Sequence, residues 1–247
     1  NLNKVINYIK KICNISIKLM NYSISIILPI LNEINSLKKT LLIINKINVD
    51  KEFIVIYSEK LTKNSVKDEI NSLKKKYKNF RCFKQIKPFV GGAIDLGIMK
   101  AKKKHIALMA SDMETNPYEL KNMIDVSSKN NNSIISADRW ISSKGFSDYG
   151  VIKFLANFAF QKLLKIFFNY KILDFTFAYR IYPKNALKNY RIKELRHGFA
   201  LETLLAPMKK GFSVITLPAK WKKRVEGNSS ITIESYISYL RVFFRYL

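Results

Sequence analysis

The strongest constraint on the fold is an alternation of two kinds of segment. Short, nearly continuous apolar runs take turns with longer stretches whose apolar residues recur at helical spacing. The runs are SISIILP (23–29), EFIVIYS (52–58), FRCFKQI (80–86), HIALMA (105–110) and NSIISAD (132–138), each of strand length and most of them rich in β-branched or aromatic residues. Between them INSLKKTLLIINKI (34–47), VKDEINSLKKKY (66–77), GGAIDLGIMKAKK (91–103) and PYELKNMIDVSSK (117–129) read as helices, the last with Pro117 in a favoured first-turn position. A strand that is apolar on both faces needs cover on both faces. The alternation therefore predicts an α/β fold with a mostly parallel central sheet flanked by helices.

The second half is less regular. A long apolar helix at 151–168 leads into DFTFAYRIYPK (174–184) and GFALETLLAPMKKG (198–211). A strand FSVITLP (212–218), a loop WKKRVEGNSSI (221–231) and a helix ESYISYLRVFFRYL (234–247) follow. No repeat or clear linker divides the chain, and its 247 residues can bury one sizeable core. The expected organisation is a basic amphipathic extension at 1–22, a domain at 23–231 and an amphipathic, membrane-proximal helix at 232–247.

Forty-four Lys and Arg against 18 Asp and Glu give a net charge of +26. Anionic partners fit such a charge: nucleic acid, acidic lipid headgroups or phosphorylated substrates. A Lys-, Asn- and Ile-heavy composition also raises basicity without any dedicated site. Nucleic acid is set aside, because the chain has no RNP-type aromatic motif, recognition-helix signature or zinc-ligand spacing. Cys13 and Cys82 form no C-x-x-C pair, so neither a zinc site nor a disulfide framework is implied and a reducing compartment is expected. No signal-peptide pattern is evident, and no apolar run reaches the roughly 20 residues that span a bilayer. The longest, 151–168, is interrupted by Lys153, Lys162 and Lys165. Residues 1–22 carry four lysines and no acid, with Val5, Ile6, Ile9 and Ile12 at helical spacing. This suits either a helix on a membrane surface or one packed on the domain.

In open sheets of this kind ligands lie beyond the carboxyl ends of the strands. After the fourth strand stand Asp112 and Glu114, two residues apart, whose side chains project to the same side of an extended backbone. Two hard oxygen ligands there suit Mg2+ or Mn2+ when a diphosphate supplies further oxygens. Alternatively Glu114, Thr115 or Asn116 caps the helix at Pro117. Asn32 and Glu33 follow the first strand, placed either to hydrogen-bond a base or ribose or, for Asn32 and Asn35, to cap a helix. Gly91 and Gly92 open a helix where backbone can approach a ligand. The loop at 221–231 is basic and flexible, fit to fold over phosphates with Arg224 as a bidentate contact, or simply solvated.

Taken in order, these pieces resemble the family-2 inverting glycosyltransferases, in particular the dolichyl-phosphate mannose synthase-like, polyprenyl-phosphate branch. ILPILNE resembles V-x-P-x-x-N-E, and GGAIDLGIMKAK resembles G-x-G-x-A-x-x-x-G-x-x-x-A. SDMETNP resembles D-A-D-L-Q-x-x-P, and SADRW resembles G-S-R-[YF]. DFTFAYRIYPK resembles D-x-T-x-G-F-R-x-[YF]-x-[RK]. GFALE and VITLPAKWKKRVEGNSSI resemble the closing G-F-x-x-E and E-V-P-[VI]-x-[WF]-x-x-R-x-x-G-x-S.

The resemblance implies a GT-A fold, a nucleotide-diphosphate sugar donor and a polyprenyl-phosphate or membrane glycan acceptor. The two ends, the basic amphipathic start and the final helix with Arg241 and Arg245 among its aromatic residues, suit a peripheral position on the inner, cytoplasmic face of the membrane, docked on anionic headgroups; alternatively the final helix packs on the core with its arginines solvated. Pro29, Leu31 and Glu33 would border base and ribose, with Ser58 and Gly92 on the donor side. Asp112 and Glu114 would hold the metal. Arg224 would meet the donor phosphates, with Ser229 in the same loop, and Arg139 the acceptor phosphate. Asp174 and Arg180 would shape the acceptor side, with Glu202 near it. Asp174 or Glu202 would be the general base only if the acceptor were a sugar hydroxyl. Two departures stand out: the family's Asp-Asp after the second strand reads Tyr57-Ser58, and the first aspartate of Asp-x-Asp is Ala110. They motivate an alternative, a catalytically impaired transferase-like binding or scaffold subunit.

Overall fold

The structure, a computed structural model, describes residues 21–142, 144–146, 149–168, 172, 174–227 and 232–247. The expected extension at 1–22 thus lies, except for Asn21 and Tyr22, outside the described residues, as does Ser229.

The apolar runs form the predicted strands: β1 Ser23–Ile30, β2 Asp50–Tyr57, β3 Phe80–Lys84, β4 His105–Leu108 and β5 Ile134–Asp138. The helices between them are α1 Ile34–Asn45, α2 Asn64–Lys76, α3 Phe89–Lys100 and α4 Glu119–Lys129. Then come α5 Val151–Phe168, β6 Arg180–Pro183, α6 Phe199–Lys209, β7 Val214–Pro218 and α7 Ile233–Tyr246. The sheet order is β3-β2-β1-β4-β6-β5-β7.

Burial on both faces explains the continuous apolar strands. Ile24, Ile26, Leu28 and Ile30 of β1 pack with α1, α2 and α4, while Ile27 between them packs with α3. A third cluster joins Leu164 of α5, Leu201, Leu204 and Leu205 of α6, and Val242 and Phe243 of α7. Helix α3 lies so close to the sheet that a Cβ on Gly97 would come within 2.4 Å of the Ile27 side chain. Gly97→Ala is therefore expected to destabilise the chain by about 1–3 kcal/mol, read as a lower urea midpoint at unchanged slope.

One strand departs from the expected pattern. β6 runs antiparallel to both neighbours, β4 and β5, while β5 and β7 pair in parallel. Its start, Arg180, is opposite Leu108 and Ser136. The segment entering β6 therefore reaches the same sheet edge as the carboxyl ends of β1, β2, β4, β5 and β7. Leu31, Glu33, Ser58, Asp112, Glu114, Arg139 and Asp174 all follow a strand end at that edge or lead into β6 from it.

Candidate active site

Beyond β1 the chain turns on Glu33, whose carboxylate accepts the backbone N–H groups of Leu31 (3.2 Å) and Asn32 (2.8 Å). Ser111 Oγ donates to the Pro29 carbonyl at 2.6 Å and lies 3.5 Å from Glu33 Oε1, tying the ends of β1 and β4 together. Asn32 Oδ1 accepts the Lys63 N–H at 2.9 Å. Ser58 is at this edge too, but its hydroxyl accepts the Leu61 N–H at 3.2 Å and so closes its own turn.

After β4 the backbone is not extended. Met113 adopts a left-handed φ of 68°, and Asp112 Oδ1 accepts the Glu114 N–H at 3.0 Å. The expected side-by-side projection from a strand is thus replaced by a tight turn, which still brings both carboxylates onto one cation. Arg224 Nη2 lies 3.2 Å from Asp112 Oδ2, and Arg224 Nε lies 2.9 Å from Glu114 Oε1. Burial first, and the Glu114 charge second, push the Asp112 carboxyl up to about 6. Burial works against the charge of Arg224, but Glu114 and Asp112 hold it above its ordinary range. Capping falls to another residue: Asn116 Oδ1 accepts the Tyr118 N–H at 3.2 Å, and its amide donates to Glu119 at 3.3 Å. Asp112 and Glu114 are left facing the edge.

The loop carrying Arg224 is fastened at both ends. Trp221 forms a bridge with Thr115, and its N–H donates to the Gly145 carbonyl at 3.2 Å. Glu226 accepts from Asn35 Nδ2 (3.2 Å) and from the Ser36 N–H (2.9 Å), a favourable place for a carboxylate at the start of α1. Neither Glu226 nor Ser111 is singled out by the sequence, because their partners stand far away in the chain.

The acceptor-side residues have a different fate from the one expected. Arg139 is buried against Asp174, Nε to Oδ2 at 2.7 Å and Nη2 to Oδ1 at 3.0 Å, and Nη2 also reaches Thr176 Oγ1 at 3.1 Å. Its guanidinium lies 4.7 Å from the Phe177 ring and 5.1 Å from the Phe146 ring. Asp174 further accepts the N–H groups of Arg139, Thr176 and Phe177. Both side chains are thus matched to each other rather than turned toward a ligand. Arg180, wholly buried, donates to Ser136 Oγ and to the carbonyls of Phe175 and Ala200, a framework role. Glu202, in the first turn of α6, is likewise engaged: it accepts from Tyr190 Oη (2.6 Å) and from the N–H groups of Lys193 (2.9 Å) and Glu194 (2.6 Å), and pairs with Arg245. The space left by Gly92 is filled by the Lys87 carbonyl, and that left by Gly91 by the carbonyls of Glu194 and Leu195. Protein backbone, not a ligand, makes the close approach there.

Two carboxylates that already draw a cation into the edge fit a divalent ion in charge and donor type. Among the described residues no third His, Cys, Asp or Glu joins them.

Residues 25–191 match the family model described as glycosyl transferase family 2. Solved structures of glucosyl-3-phosphoglycerate synthase from Mycobacterium tuberculosis are similar over most of both chains. The complex with Mn2+, UDP-glucose and glycerol 3-phosphate gives a TM-score of 0.68 at 12% identity, covering 94% of this chain and 82% of that one. The complex with Mn2+, UDP and phosphoglyceric acid gives 0.68 at 12%, covering 92% and 81%. The complex with Mg2+ and UDP gives 0.67 at 12%, covering 94% and 83%. At this identity the likeness shows the fold, and it bears out the GT-A expectation.

Proposed function

The chain belongs to glycosyl transferase family 2, and on that premise we propose that it transfers a sugar, with inversion, from a nucleotide-diphosphate sugar to a polyprenyl phosphate. The observation that carries this reading is Arg224 held between Asp112 and Glu114 at the edge where β1 and β4 end. The acceptor oxygen attacks the anomeric carbon, and the bond to the diphosphate oxygen breaks as its electron pair leaves with the nucleoside diphosphate. Pro29, Leu31 and Glu33 border the nucleoside. Asp112 and Glu114 hold Mg2+ or Mn2+, which when bound neutralises charge on the leaving diphosphate. Arg224 supplies a second, charge-assisted contact to the same oxygens.

The choice of a phosphate acceptor rests on which carboxylates are occupied. A hydroxyl acceptor needs a general base, and the two candidates, Asp174 and Glu202, are both saturated by hydrogen bonds and arginines. A phosphate is already anionic and loses no proton on attack. Such an acceptor would be met in the bilayer, with the enzyme peripheral on its inner face. The second reading, a scaffold subunit that has lost catalysis, is favoured by Ser58: its hydroxyl is engaged in its own turn where the family pattern has aspartate.

Calorimetric titration of UDP and of GDP, with and without Mn2+, separates the two readings. The transferase reading expects Mn2+-dependent binding of one nucleotide, abolished in Asp112→Ala. Folded protein that binds neither nucleotide would leave the scaffold reading standing.

A further inference from the structure

Helix α5 has 18 residues, of which only Gln161 and Leu164 are buried. Most of what it shows to solvent is apolar, interrupted by Lys153 and Lys162: Ile152 is 85% exposed and Ile166 76%, alongside Val151, Leu155, Phe158 and Phe167. Helix α7 is apolar on two sides. Val242 and Phe243 face the core, while Ile233, Ile237, Leu240, Phe244 and Leu247 form an outward stripe at alternating four- and three-residue spacing, with Ile233 79% and Phe244 69% exposed. The two helices touch: Phe160 meets Tyr239, and Phe167 and Phe168 meet Phe243, whose own neighbour is Phe244. The exposed rings of Phe167 and Phe244 thus flank one buried ring, and the two outward faces adjoin. Patches of this extent mark interaction surfaces rather than ordinary solvent-facing surface.

Charge selects the partner. α5 carries Lys153, Lys162 and Lys165 and no acid, and the single acid of α7, Glu234, is paired with Arg241. A second copy of the chain would set +26 against +26. No helix among the described residues is long and apolar enough to cross a membrane, so these helices suit lying on one. We propose that the outward faces of α5 and α7 together form a docking surface for an anionic lipid bilayer. Apolar residues enter the acyl boundary while the lysines of α5 meet acidic headgroups.

The N-terminal half of α5 also adjoins the site. Trp140, just beyond the end of β5, packs on Phe154 and Phe158, and Phe146 lies between Trp140 and the Arg139 guanidinium. The docked face is therefore joined to the catalytic edge by a continuous set of aromatic rings. The inference deepens the reading of a membrane-borne acceptor and rests on it for what the bilayer delivers.

The test is co-sedimentation of the full chain with vesicles of phosphatidylglycerol and phosphatidylcholine, and of phosphatidylcholine alone. The chain is expected to partition onto the anionic vesicles only. Replacing Lys153, Lys162 and Lys165 together by Gln should weaken partitioning by about a hundredfold. Replacing Ile152, Leu155 and Phe244 together by Ser should weaken it at least tenfold, as a rough expectation. All these positions are on the surface, so circular dichroism and melting should be unchanged, and nucleotide titration without vesicles should match the parent. Parent-like partitioning of both folded variants would overturn the proposal. So would a chain that ignores vesicles but forms a dimer broken by the Ser substitutions. Vesicle binding that follows the variants in a chain that binds no nucleotide would remove the transferase reading and leave the docking surface intact.

Discussion

Asp112→Asn is expected to lower sugar transfer by about 10²- to 10³-fold while leaving the fold intact. Asparagine keeps an oxygen to accept the Glu114 N–H, so the turn at Met113 survives. What is removed is the charge facing Arg224. That charge is a burden on the fold rather than a support. A folded-state value of about 6, above the ordinary carboxylate range, means that the ionised form is destabilised by folding once the pH exceeds the unfolded value. The variant should therefore melt no lower than the parent at pH 7. The check is turnover of UDP- and GDP-sugars beside a thermal melt of the same preparation. An inactive chain with an unchanged melting temperature separates loss of chemistry from loss of structure, whereas a variant of parental activity would remove Asp112 from the site.

The largest expected effect on stability is at Asp174. Asp174→Ala leaves the buried Arg139 charge without its bidentate partner, at a cost of about 3–5 kcal/mol. Burial opposes ionisation of Asp174, but Arg139 and the surrounding N–H donors hold its carboxyl below the ordinary value. The pair's stabilisation is accordingly present above the unfolded carboxylate value and lost as the pH falls through the lowered one. Denaturant melts of the parent between pH 7 and pH 3 should show this decline, and Asp174→Ala should flatten it. Combining Asp174→Leu with Arg139→Met should restore much of the lost stability, because well-packed apolar groups commonly replace a buried ion pair without loss. Failure of that rescue, with a core shown to be repacked, would mean that Arg139 is held for more than structure.

The contrast between these two residues indicates what the sequence makes legible. Strand and helix positions follow from burial periodicity, and burial on both faces of β1 and β2 is written in their unbroken apolar runs. Periodicity registers burial but not the direction of a neighbour, so the antiparallel β6 within DFTFAYRIYPK passes unnoticed. The same limit governs the site. Asp112 and Glu114 are identifiable by type and spacing, yet the geometry that unites them depends on a left-handed Met113 rather than on an extended strand. Arg139 and Asp174 are both conspicuous as charged residues, but nothing local indicates that each is the other's partner across 35 positions. Glu226 reaches Ser36 across 190, beyond any motif window.

Those separations bear on how the site comes into being. Glu114 and Arg224 are 110 residues apart, and the turn holding Asp112 and Glu114 emerges from synthesis long before the loop that balances it. Closing so long a loop is entropically unfavourable until the intervening strands have paired, and β6, β5 and β7 all lie between. A nascent chain can therefore assemble β1, β2 and β4 while its two carboxylates still face water uncompensated. The site is assembled late, by the return of Arg224 and Glu226 to a sheet edge already laid down.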